Sequence, residues 1–174
     1  MSRQNGRAAG TNRVLSYFCN ISDARFIMRR VVRIVDDIAK THGLDPLAHQ
    51  ALIQIFGTRD DVLVRTVAER LDISPTFASK VVKQLIHLGY VTARENPNDM
   101  RAALLQVTES GERLLLDVDE EVRVRTNAFT RELSQEQKAA AMAIFANHVG
   151  VRVTVNDYIT ATSVPIPSAR ALKV

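Results

Sequence analysis

With one cysteine in 174 residues, Cys19, the chain cannot form an internal disulfide, which suits a reducing compartment. No apolar run approaches the ~18 to 20 residues needed to span a bilayer. The arginines at 3, 7 and 13 have no apolar stretch behind them like that of a secretory signal. The expected compartment is the cytoplasm, with no membrane partner. HExxH, CxxC, P-loop, GxGxxG and GxSxG motifs are all missing. Asp36-Asp37 and Asp60-Asp61 are adjacent pairs whose side chains diverge, so they read as solvated charge rather than an acid–base pair. His42 and His49 lie seven residues apart, but Gly43 to Pro46 interrupts any helix that would align them for a metal. No catalytic residue, metal or cofactor is expected, and the chain is not read as an enzyme. Internal repeats and low-complexity tracts are lacking too.

What is present is the make-up of an ordinary globular protein, 46% hydrophobic and 24% charged, long enough for one domain with appended helices. The net charge of +4 is unevenly spread. Residues 1 to 33 hold seven arginines against Asp23 alone, a net +6, whereas residues 109 to 121 hold six acids against Arg113, a net −5. Such a separation lets one surface meet a polyanion while another turns it away.

Residues 1 to 12 are polar and aperiodic, and are expected to be a disordered arm. A helical pattern runs from Val14 to Thr41 through Phe18, Ile21, Met28, Val32, Val35 and Ala39, with Ile27, Val31 and Ile38 beside them. So broad an apolar surface implies burial on more than one side. Gly43 ends it, and Asp45-Pro46 starts a second helix to about Phe56. A short β-like Val62-Leu63-Val64 precedes two helices, at about Thr66 to Leu71 and Ser74 to Leu88. Strands are expected at Tyr90 to Glu95 and Ala102 to Val107. Thr108 caps a long helix to about Arg131 with a spine of Leu115, Val118, Val122 and Phe129. A capping box of Ser134 and Gln137 opens a last helix through Ala140, Ile144 and Phe145.

The stretch from Arg65 to Arg101 is the most informative. On a wheel of about 100° per residue, Phe77, Ala78, Val81, Val82, Leu85 and Leu88 share one side of the helix after Ser74. Thr76, Ser79, Lys80, Lys83, Gln84 and His87 fill the opposite arc. Ser74 is a good N-cap and Pro75 a good first helical residue. A rigid helix with an apolar back and donors near its N-terminus suits a major groove. A shorter helix carrying Val67, Ala68 and Leu71 stands one tight turn upstream, at helix-turn-helix spacing. Downstream comes a hairpin with Arg94 on its first strand and Arg101 at its tip, a basic loop of the kind that enters a minor groove.

In these residues the chain resembles the MarR (multiple antibiotic resistance regulator) family of winged helix-turn-helix regulators. The likeness runs through Arg65 to Ser74, Ser79-Lys80-Val81-Val82, Leu88 to Val91, Arg94 to Arg101 with its Asp99-Met100-Arg101, and Leu105 to Gly111. It is strongest over residues 62 to 116. The resemblance implies a mainly α fold with a small β-wing, a winged helix-turn-helix flanked by N- and C-terminal dimerisation helices. The implied organisation is a basic arm at 1–12, helices for dimerisation and lobe support at 13–57, the DNA-binding lobe at 58–107, dimerisation helices at 108–160 and a tail at 161–174. The implied function is a transcriptional regulator, in the first instance a repressor, that binds a palindromic double-stranded operator as a homodimer. Arg65, Ser74, Pro75, Thr76, Ser79, Lys80, Lys83, Gln84, Arg94, Asp99 and Arg101 are the candidate DNA-contacting residues, Arg101 in the minor groove and Asp99 bracing it or the wing backbone.

Two positions depart from the family pattern. Asp72 stands at a left-handed turn position where glycine is usual. Phe77 replaces a small or polar residue, and its place at the apolar edge reads as core, the alternative being contact with a thymine methyl. Family members commonly bind small aromatic or phenolic acids, for which Tyr17, Arg25, His42 and His49 are candidates, the cationic groups suiting a carboxylate. Cys19 is an alternative, oxidant-sensing site, weighed against a buried, inert thiol. A reading of another class is a winged-helix module for protein assembly. The cationic outer arc of the Ser74 helix argues against it, because a protein interface would more often expose aromatics or leucine.

Overall fold

The computed structural model describes residues 3–58, 61–97, 99–100, 102–130, 132–148 and 156, without the side chains of 3–14, 127–130 and 145–148. It consists of α1 (Arg3–Thr41), α2 (Pro46–Gly57), α3 (Val64–Leu71), α4 (Pro75–His87), β1 (Val91–Arg94), β2 (Leu104–Val107), α5 (Glu109–Thr130) and α6 (Gln135–His148). This is a mainly α chain with a two-stranded wing.

Local chemistry sets most of these boundaries. Asp45 caps α2 by accepting from the N–H groups of Leu47 at 2.9 Å and Ala48 at 3.4 Å, with Pro46 behind it. The Ser134 hydroxyl accepts from the Gln137 N–H at 3.1 Å while the Gln137 carbonyl accepts from the Ser134 N–H at 2.8 Å, the reciprocal box that opens α6. Val62 does not extend a strand of its own. It bridges Leu105, and Val64 already begins α3.

α1 begins at Arg3 rather than near Val14, so residues 3–12 are helical where a disordered arm was expected. Once a long helix is nucleated, each further residue needs only propagation, and Arg, Gln and Ala propagate well enough to carry Gly6 and Gly10. Most of α1 is not buried by its own chain. Leu15, Phe18, Phe26, Ile27, Val31 and Val32 are exposed, and among the described side chains of α1 only Ile38 and Ala39 are fully covered. Among the described side chains of α6, Ala139 and Ala143 are buried, Ala140 is half-buried and Ile144 is exposed. Phe129 and Phe145 fall among the side chains outside the description, and the expected tail at 161–174 and the alternating segment 151–155 also lie outside it.

The core is built around α2. Leu44, Ala48, Leu52 and Ile55 meet Val67 of α3, Val81 and Leu85 of α4, Val91 and Leu105 of the wing, and Leu115 of α5. α2 touches α1, α3, α4, β2 and α5, so it joins the wing and the two short helices to the long ones.

Candidate nucleic-acid interface

α3 and α4 are joined by Asp72, whose φ of 51° and ψ of 47° put it in the left-handed region. It is the one non-glycine residue with positive φ among those described. The turn is closed by the Asp72 N–H to Glu69 O at 3.3 Å and the Ile73 N–H to Ala68 O at 3.0 Å. The glycine-like position read from the sequence is therefore occupied by Asp in the conformation glycine would take. Ser74 then caps α4, its hydroxyl accepting from the Phe77 N–H at 3.3 Å, and Pro75 supplies the first helical residue.

Ala78, Val81, Val82 and Leu85 are buried and fix the back of α4 on the core. Thr76, Lys80, Lys83, Gln84 and His87 are exposed, and Ser79 is half-buried at the edge of the same arc. Phe77 is 47% exposed. The expectation that it belongs to the core is overturned: Ala78 takes the inward place in that turn, leaving the ring on the flank shared with Lys80 and Gln84. The wheel gave the angle correctly but not how far the neighbouring wall reaches. Arg65 is exposed on the first turn of α3, beside the start of α4.

The wing pairs Val91 with Val107 and Arg94 with Leu104 in antiparallel register. Arg94 is exposed at the end of its strand. Beyond it, the Asp99 N–H donates to Asn96 O at 3.2 Å and the Ala102 N–H to Asp99 O at 3.1 Å, which folds the loop back on itself. Asn96 is buried within that loop, while Asp99 and Met100 are exposed. Arg101 lies outside the described residues.

A junction that sequence reasoning took only as a helix cap ties this lobe to α5. Gly89, at φ +76°, ends the turn after α4. Its carbonyl accepts from the Thr108 hydroxyl at 2.7 Å and the Ser110 hydroxyl at 2.9 Å, and the Tyr90 carbonyl accepts from the Thr108 N–H at 3.0 Å. Gly111 passes so close that a Cβ there would overlap the Tyr90 carbonyl oxygen and stand 2.8 Å from Val107 Cγ1. The Thr-Glu-Ser-Gly run at 108–111 is thus the fastening of the wing to the long helix.

The four expected ligand residues do not converge at one place within one chain, although His42 lies close enough to His49 to act on its charge. Tyr17 is exposed and stacks edge-on against Phe18, ring centroids 5.4 Å apart. Arg25 is exposed higher on α1, and the helix carries Tyr17 on the order of 35 Å from His42 at about 1.5 Å per residue. His42 Nε2 lies 3.0 Å from Glu121 Oε2 and pins the end of α1 to α5. His49 is buried on α2 with no partner at Nδ1, and burial lowers its pKa, the Asp36 carboxylate acting to raise it and His42 to lower it. The exposed face of α1 from Phe26 to Lys40 instead forms an open basic surface with Arg29, Arg30, Arg33 and Lys40, and none of the four expected residues lies on it. Cys19 is exposed, not buried as the inert-thiol reading would have it. Among the described residues no cluster of metal-ligating side chains occurs, and no helix is long and apolar enough to cross a membrane.

Comparison with known proteins places this geometry. Residues 42–102 match the sequence model of the MarR family. No curated protein matches the chain. Among solved structures, a MarR-family transcriptional regulator from Rhodococcus sp. RHA1 is 21% identical with a TM-score of 0.58, over 72% of this chain and 91% of that one. CouR from Rhodococcus jostii RHA1, bound to p-coumaroyl-CoA, is 20% identical with a TM-score of 0.55, over 82% and 90%. An S. aureus MepR mutant bound to an oligodeoxyribonucleotide is 15% identical with a TM-score of 0.55, over 78% and 96%. At these identities the likeness is one of fold.

Proposed function

We propose that the chain, whose residues 42–102 match the MarR family model, is a sequence-specific, double-stranded-DNA-binding repressor rather than an enzyme, acting in the cytoplasm. The observation that carries the reading is the outer arc of α4. Thr76, Lys80, Lys83, Gln84 and His87 stand exposed on a helix whose back is locked into the core and whose N-terminus is capped by Ser74. The start of such a helix presents donors to base edges and the Thr76 N–H to a phosphate. Arg65, Ser79 and Pro75 flank it as phosphate or groove contacts, and the wing carries Arg94, Asp99 and Arg101 towards the adjacent minor groove.

One chain offers one recognition helix, so a twofold dimer reading a palindrome is the assembly that fits. The exposed Leu15, Phe18, Phe26, Ile27, Val31 and Val32 of α1 support it, because so many large apolar side chains around one helix call for cover on more than one side. The inducer is a small aromatic acid or its thioester. The arginines Arg29, Arg30 and Arg33 exposed on α1 support that class by supplying positive charge for a carboxylate. CouR, of similar fold, holds p-coumaroyl-CoA. The exposure of Cys19 favours a second reading, in which an oxidant releases the DNA.

Selection from random duplexes tests the first step. The expected product is a palindrome with half-sites about one helical turn apart, roughly 10 base pairs, whose affinity falls steeply with salt. Salt-independent binding, or a monomer complex at equilibrium, speaks for an assembly module instead. Operator affinity of wild type and Cys19→Ser is then measured with aromatic acids, aromatic acyl thioesters and organic peroxide. Release by acid or thioester in both proteins is expected, and release by peroxide in wild type alone makes Cys19 the sensor.

A further inference from the structure

Phe77 is the one large apolar side chain in the first turns of α4 that faces outward, in a stretch otherwise exposing Thr76 and Lys80. The core does not use it, since Ala78, Val81, Val82 and Leu85 already fill the inward side. Its backbone is held firmly: the Phe77 N–H donates to both the carbonyl and the hydroxyl of Ser74, at 3.0 and 3.3 Å. The ring therefore projects from a fixed point near the helix N-terminus, the end that approaches base edges in a helix-turn-helix complex.

What a phenyl ring could meet there is narrowly defined. Phosphates offer it nothing, and the base edges of the major groove are hydrogen-bond donors and acceptors with one exception, the C5-methyl group of thymine. Lys80, Lys83 and Gln84 match the polar groups of that groove, and Phe77 matches only the methyl. We infer that Phe77 is a specificity-determining residue that reads the C5-methyl group of one thymine in each half-site. This rests on the DNA-binding reading above and adds to it the chemistry of one position. A 5-methylcytosine carries the same methyl at the same place in the groove, so it would satisfy the ring as well.

The test uses the duplex selected by the full-length protein, with each thymine replaced in turn by deoxyuridine, which removes the methyl and leaves pairing intact. Wild type is expected to lose about fourfold in affinity at one position per half-site, and about fifteenfold when both half-sites are changed, the worth of one buried methyl each. Phe77→Ala is expected to bind thymine and deoxyuridine alike at that position, while Phe77→Leu keeps part of the preference. Replacing the same thymine by cytosine and then by 5-methylcytosine should restore wild-type affinity by a similar factor and leave Phe77→Ala unmoved. If a preferred duplex is found but no position separates wild type from Phe77→Ala, the inference about Phe77 falls and the DNA-binding reading stands. Should selection yield no preferred duplex, the DNA-binding reading falls and Phe77 with it.

Discussion

Replacing Gly111 by alanine should destabilise the protein, although it swaps a poor helix former for the best one. In an unobstructed helix the change would stabilise by up to ~1 kcal/mol. Here the new methyl would overlap the Tyr90 carbonyl oxygen and stand 2.8 Å from Val107 Cγ1. Val107 could adjust by a rotamer, but the carbonyl cannot yield cheaply, since it accepts the Thr108 N–H at 3.0 Å and belongs to the residue that leads into β1. Overpacking strain of ~1 to 3 kcal/mol and a weakened hydrogen bond of about 1 kcal/mol exceed the helical gain. The net loss is about 1 to 3 kcal/mol, or roughly 3 to 10 °C in Tm for a chain of this size. Urea denaturation followed by circular dichroism should show a lower midpoint at unchanged slope. Gly57→Ala is the matched control, because nothing lies within 4 Å of a Cβ at that position. A Gly111→Ala protein as stable as wild type, or as much improved as Gly57→Ala, would refute the close approach of α5 to the wing.

Asp72→Gly should raise stability by up to ~1 kcal/mol through relief of the left-handed backbone, and Asp72→Val should lower it by more, both read from thermal melts. His49 is held neutral by burial, its pKa below the ordinary imidazole value, so the unfolded chain takes up a proton before the folded one does. Stability should therefore fall as pH drops below about 6.5, and His49→Gln should flatten that part of a pH series of urea midpoints; an unchanged slope would place the acid sensitivity elsewhere. Lys83→Ala should weaken binding to all duplexes alike and reduce the salt slope by about one per site engaged. Arg101→Ala should cost ~1 to 3 kcal/mol and lose the preference for narrow-groove A·T sequence at the ends of the operator; equal operator affinity in a binding titration would take the wing out of the groove.

What could be read from the sequence was what local chemistry decides. Asp45-Pro46, Ser74-Pro75 and Ser134 with Gln137 fix helix starts through bonds made within four residues, and each start lies where the residues put it. The left-handed place of Asp72 was legible through the family pattern, in which glycine is usual at that position. What depends on neighbours far along the chain was not. Phe77 sits at the border of its arc, where only the shape of the adjoining wall decides between core and surface. The close approach of Gly111 to Tyr90 joins residues 21 apart and leaves no mark but a glycine. Tyr17 and His42 share an aromatic, titratable character that suits a ligand, but the length of one straight helix keeps them from sharing a pocket in a single chain.

The fastening of 108–111 onto Gly89 and Tyr90 also bears on how such a lobe can diversify. Both ends of the wing are secured below its tip, by the β1–β2 ladder and by the hydroxyls and amide of Thr108 and Ser110. Among the described residues between Arg94 and Leu104, Asn96 is the buried one, so that stretch carries little of the lobe's core. Doubling a loop costs only about 0.6 kcal/mol in closure entropy, against a folding stability of roughly 5 to 15 kcal/mol. Insertions, deletions and grafts of foreign sequence should be tolerated there while the rest of the lobe keeps its form. Variation can thus alter how far the tip reaches along a duplex without touching the helix that reads it.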